Sequence, residues 1–239
     1  RGHLLHPDSL EGLPEDHVMS EEGSLTWSSG LGMVFLGTKA QEDELEDWPD
    51  DGLPLADVNI WHWDDERIQA AQIRQLSRER NRTYQAALHL EEKRLVPLAD
   101  ENMKTVEITR DGRWAMGRDD SDFISDWKPD RANYYRIDTR TGERHQVLRA
   151  HQRTYGFSPD SKHYLYWLDA HFWAYRMDDD VHANLTASAP MDFTDMEFDR
   201  FGDRPPYGVA GWSSDGESIV LNHRYDVWRQ PLDGSRGEN

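Results

Sequence analysis

Ser213 is the residue whose surroundings come nearest to catalytic chemistry. The run Gly211-Trp212-Ser213-Ser214-Asp215 almost spells Gly-x-Ser-x-Gly, the elbow that presents a nucleophilic serine on a tight strand-to-helix turn. Asp215 stands where the second glycine must be, and the small residue is required by the tightness of that turn. The next run, Ser218 to Asn222, is β-rich rather than helical. Ser213 therefore reads as a turn residue, and no catalytic residue is assigned.

Metal chemistry fares no better. His62, His89, His163, His171 and His182 lie in or beside runs expected to be strands. The chain has no cysteine, and no His-x-x-x-His pair falls on a helix, so a zinc site is not built. Satisfied strand histidines are the expectation. Met177-Asp178-Asp179-Asp180 lacks the ligand spacing and terminal Glu of an EF-hand loop and reads as a turn. Gln41 to Gly52, QEDELEDWPDDG, is acidic enough to suggest a cation or a basic partner. Carboxylates in a self-repelling run are not pre-placed around an ion, however, and a solvated loop is expected. Asn81-Arg82-Thr83 and Asn184-Leu185-Thr186 fit the glycosylation acceptor pattern, which is too common to assign a role. No phosphate-cradling or dinucleotide glycine motif occurs, and no metal or cofactor is expected.

The elements around these residues repeat. An aromatic or aliphatic residue, a polar turn and an apolar strand recur in order: Trp27-Ser28-Ser29-Gly30 before Met33 to Leu36, and Ile108-Thr109-Arg110-Asp111-Gly112 before Trp114 to Met116. Phe157-Ser158-Pro159-Asp160-Ser161 precedes Tyr164 to Trp167, and Trp212 to Gly216 precedes Ile219 to Leu221. Asp-Gly between apolar runs marks a hairpin, because glycine accepts positive φ without steric cost. Second strand runs come after these at Val58 to Trp63, Asn133 to Thr139, His171 to Met177 and Asp226 to Leu232. This is the rhythm of four-stranded propeller blades. The expected fold is all-β: a β-propeller of about four visible blades, an incomplete arc of a larger ring, with one short helical insertion. The helix is placed at 70–82, where Ala, Gln, Leu, Glu and Arg dominate. Residues 1–22 are expected to be a connector or the end of a preceding blade. The blades are placed at 23–100, 101–150, 151–206 with a linker packed by Phe193, Phe198 and Phe201, and a truncated 207–239.

Bulk properties remove other classes. With 239 residues the chain can bury a sizeable core. A net charge of −19 argues against nucleic acid and against anionic membrane surfaces, since no basic stripe is available to release phosphate counterions. No run approaches the roughly 20 apolar residues of a membrane helix. The chain opens on Arg1 without a signal peptide, so a processed or excised segment is expected.

Several segments together resemble a known family. The Trp/Phe-Ser-x-Asp-Gly turn with its strands is similar to the TolB-like blade repeat. ADVNIWHWDDERIQ at 56–69, RERNRTYQAALHL at 78–90, LADENM at 98–103, DGRWAMGRDD at 111–120 and PPYGVAGWSSDG at 205–216 resemble the N-terminal propeller of bacterial prolyl oligopeptidase family serine peptidases, from about Gly23 to Asn239. The resemblance implies a non-catalytic propeller that restricts access of peptide substrate to a C-terminal α/β-hydrolase domain carrying the Ser-Asp-His triad. None of the triad motifs is present here, and the acidic pair that holds a substrate amine in some dipeptidyl peptidases is not recognisable. A periplasmic or secreted placement is favoured over a cytoplasmic one. The alternative is a TolB-like propeller acting as a protein-interaction module.

Overall fold

A computed structural model describes residues 6, 9–30, 32–41, 58 and 60–239. Its strands form four antiparallel sheets. The first holds β1 (His17–Met19), β2 (Thr26–Trp27), β3 (Met33–Ala40), β4 (Tyr84–His89) and β5 (Arg94–Pro97), with helix α1 (Gln69–Arg80) inserted between β3 and β4. The second is β6 (Thr105–Ile108), β7 (Trp114–Asp119), β8 (Ala132–Asp138) and β9 (Arg144–His151). The third is β10 (Thr154–Phe157), β11 (His163–Leu168), β12 (His171–Arg176) and β13 (Val181–Asn184). The fourth is β14 (Val209–Trp212), β15 (Ser218–Asn222) and β16 (Val227–Pro231), extended by a bridge from Arg229 to Glu238.

Strand alternation explains how the sheets stack. Successive side chains point to opposite faces, and in the second sheet Ala115 and Ile137 pack with Phe35, Ala87 and Val96 of the first. Their neighbours Met116 and Tyr134 pack the other way, against Tyr164, Tyr166 and Tyr175 of the third. The third sheet then presents Leu165, Trp167 and Phe172 to Ile219, Leu221 and Trp228 of the fourth. Both inner sheets bury both faces, as blades around an axis must and as a two-layer sandwich would not. The fold is a partial β-propeller.

The recurrent turn has a specific physical job. The Ser158 hydroxyl accepts from the His163 amide at 2.9 Å and donates to Asp160 at 2.6 Å. The Ser218 amide donates to the Ser213 hydroxyl at 2.9 Å, and that hydroxyl donates to Asp215. At Thr109 the hydroxyl accepts from the Trp114 amide at 3.1 Å. In each, the side chain satisfies the first amide of the next strand while the carboxylate caps the turn. The first copy has Gly30-Leu31 where the fourth has Asp215-Gly216, so it lacks the capping carboxylate, and its buried Ser28 hydroxyl has no partner.

Several expectations need correction. Val58 to Trp63 is not a strand at its described residues, where Val58, Ile60, Trp61 and Trp63 are exposed. The second long strand of blade 1 is β4, because β3 has one edge taken by β1 and β2 and the other by β4. Phe201 does not pack the 187–206 linker: it is 97% exposed, while Phe193 is buried between blades 3 and 4. His62 lies in an exposed turn, not a strand. Residues 17–19, inside the stretch read as connector, form β1 and supply part of the innermost strand of blade 1. The insertion at 70–82 is helix α1, and the acidic run lies outside the described residues apart from Gln41.

Candidate functional site

Residues that suggested chemistry resolve mostly into architecture. Ser213, like Ser158 and Thr109, spends its hydroxyl on a turn, so no serine-centred triad is assembled around it. Asp178 accepts from the Trp114 indole at 2.8 Å, Asp179 pairs with Arg176 at 3.4 Å, and Asp180 accepts from the Tyr175 hydroxyl at 2.7 Å. Asp179 and Asp180 are thus held within blade 3, while Asp178, and Asp180 through His145 at 3.2 Å, join this turn to blade 2, so the three carboxylates do not converge as a cation loop. Among the described residues no group of three His, Asp or Glu could hold a metal.

The strand histidines are mostly satisfied. The His89 ring meets the Thr139 carbonyl at 3.3 Å, His171 meets the Thr186 hydroxyl at 3.1 Å, and His182 meets the Tyr166 hydroxyl at 2.8 Å. His163 departs from the expectation: its Nδ1 is buried without a partner. Burial pushes the imidazoles of His89, His163 and His182 below the ordinary value, because a charged ring loses hydration there.

The chain's concave features lie elsewhere. In an antiparallel meander the first and third turns of each blade sit on one rim, and the second turns and inter-blade crossings sit on the other. That second rim carries α1, the long 120–131 loop of blade 2, the crossing at 151–153 and the turn at 169–170. Here α1 leans over blade 2, tethered by the Ile68 amide, which donates to Asp126 at 2.6 Å. Between them is a hollow of about 530 Å³ lined by Arg67, Arg78, Arg82, Lys104 and Arg118, with Glu66, Glu79, Asp120 and Asp130. The Arg82 guanidinium beside Glu79 holds that carboxyl below the usual carboxylate range. A second hollow, of about 260 Å³, lies along Phe123, Ile124, Lys128 and Arg131. A third, of about 550 Å³, is lined by Arg131, Arg149, Arg153, Arg204, His151 and Asp203, among others.

Ile124 borders the first two hollows and Arg131 the last two, so they form one interrupted groove. None of these cations stood out in the sequence. They are spread from Arg67 to Arg204 and share no motif; only the scarcity of cations, 27 against 46 acids, could have prompted the question of where they gather.

No family model matches the chain, and no curated protein matches it. Among solved structures it is similar to a putative TolB from Agrobacterium tumefaciens, at 20% identity and TM-score 0.37, over 65% of this chain and 54% of that one. It is also similar to TolB from Acinetobacter baumannii, at 15% identity and TM-score 0.36, over 66% and 37%. Dipeptidyl peptidase 4 from Porphyromonas gingivalis aligns at 16% identity and TM-score 0.40, over 63% and 23%. The chain thus spans about half or less of these structures. It is a propeller module. Among its described residues no helix is long and apolar enough to cross a membrane.

Proposed function

We propose that this chain is the non-catalytic propeller region of a prolyl oligopeptidase-like serine peptidase, limiting which peptides reach a hydrolase domain beside it. The observation that carries the reading is Ser213: its elbow-like sequence is a blade turn whose hydroxyl is committed to Asp215 and the Ser218 amide. The chemistry then belongs to a neighbour, and the ring acts sterically, since stacked blades pass a narrow peptide more readily than a folded protein. The proposed partners are a C-terminal α/β-hydrolase domain and short peptide substrate. Periplasmic or secreted placement enters with the same resemblance.

The test has two parts. The 239-residue chain alone should cleave no peptide and take up no serine-directed fluorophosphonate; stoichiometric labelling of any of its serines overturns the reading. The reading frame continued past Asn239 should encode Gly-x-Ser-x-Gly and then Asp and His. A frame without them selects the second reading, a TolB-like interaction module. That reading draws on the exposed Trp61, Trp63 and Trp127, since exposed aromatics are common anchors of protein contacts.

A further inference from the structure

We propose that the rim bearing α1 and the 120–131 loop is a binding groove for an extended peptide rich in carboxylates. The inference rests on the peptide-handling reading above for the ligand being a peptide, and on the groove itself for its charge. Among the described residues the three hollows gather ten of the chain's 27 Lys and Arg but only seven of its 46 Asp and Glu. In a chain with net charge −19, the lining of these three hollows thus reverses the overall balance and carries more cations than acids.

The identity of those cations matters as much as their number. All but Lys104 and Lys128 are arginines, whose planar fork pairs a carboxylate through two parallel hydrogen bonds. Some are already engaged: Arg82 with Glu79, Arg118 with Asp120, and Arg131 with Asp203 at 3.7 Å. Arg67, Arg78, Arg149 and Arg204 have no ion pair with any described carboxylate. They sit at both ends of the groove, two in the first hollow and two in the third. A ligand that satisfies them must carry several negative charges and reach across the 120–131 loop, which an extended peptide does.

Three of the seven non-glycine residues with positive φ among the described residues lie at the third hollow, the other four being in turns elsewhere. Ala150, Asp169 and Ala170 have φ of 47°, 50° and 62°, and all three border the third hollow. Left-handed backbone is unfavourable for residues with a Cβ, so the wall of this hollow is held in a fixed, costly conformation. The 169–170 turn would be relaxed by Asn-Gly; Asp-Ala holds it instead. A long nucleic acid suits the groove poorly. Its phosphates would extend over the acidic remainder of the surface, and charges within a screening length of about 8 Å still repel at physiological salt.

The test is fluorescence anisotropy with labelled hexaglutamate, hexaglutamine and a thymidine oligonucleotide of equal charge, using the 239-residue chain. Hexaglutamate should bind, weaken as salt rises, and outcompete both others. Arg149→Glu with Arg204→Glu should weaken it by about tenfold. Lys162→Glu, on the opposite rim, should change it by less than about twofold. Circular dichroism reports whether each variant is folded, and Arg67→Glu with Arg78→Glu, at the other end of the groove, repeats the measurement independently. Equal binding of hexaglutamine, tighter binding of the oligonucleotide, or an equal loss in the Lys162 variant overturns the proposal. Such a result would leave the fluorophosphonate outcome untouched, so the groove and the peptidase reading fail separately.

Discussion

Ser158 shows what the repeated Ser-x-Asp turn contributes. The residue is 3% exposed, and its hydroxyl is the partner of the His163 amide. Ser158→Ala leaves that buried amide unsatisfied and should lower unfolding free energy by about 1–3 kcal/mol, read as a shift in the urea midpoint. Buried imidazoles make stability fall on mild acidification. Burial lowers the pKa of His89, His151, His163 and His182 from an ordinary 6.5. Between that value and their folded values the unfolded chain binds more protons, so their contribution is full above 6.5 and is lost as pH falls through the folded values. The urea midpoint should therefore be lower at about pH 5.5 than at about pH 7.5, and His151→Gln should narrow the difference. Of these residue-scale facts the sequence showed the turn chemistry. It could not show that His163 Nδ1 lacks a partner, because that depends on how the strands pack around the ring.

At the scale of elements, contacts between consecutive turns join one blade to the next. The Arg110 amide donates to the Ser161 hydroxyl at 3.1 Å, and Gly112 lies against blade 1. A Cβ at position 112 would stand 2.9 Å from Ser28 Cβ and 3.1 Å from the Phe35 ring, at a φ of +77°. Gly112→Ala must therefore strain its own backbone and push blade 1 away. We expect a loss of about 1–3 kcal/mol by urea titration, more than at Gly30, where nothing lies within 4 Å. The turns, the strands after them and α1 are legible because local spacing and propensity decide them. Val58 to Trp63 misleads for the complementary reason. Its aromatic, β-branched composition suits a strand, but strands need a free edge, and β3 offers none.

For the whole molecule, stability passes through three inter-blade cores rather than one centre. Ile137 is fully buried in the core between blades 1 and 2. Ile137→Ala should cost about 2–5 kcal/mol, and because each blade contacts only its neighbours, the loss should be local. Amide exchange should speed up most in β3–β5 and β6–β9 and least in β14–β16; uniform acceleration across all four blades would show one indivisible unit instead. The sequence by itself determined the four visible blade repeats and the turns that start them, since each turn and the strand after it are written within about a dozen neighbouring residues. Tertiary structure alone decided that Arg67, Arg78, Arg149 and Arg204 share one rim. Which loops meet there depends on how the blades stack, and that packing is fixed by side chains on sheet faces far from the arginines it brings together.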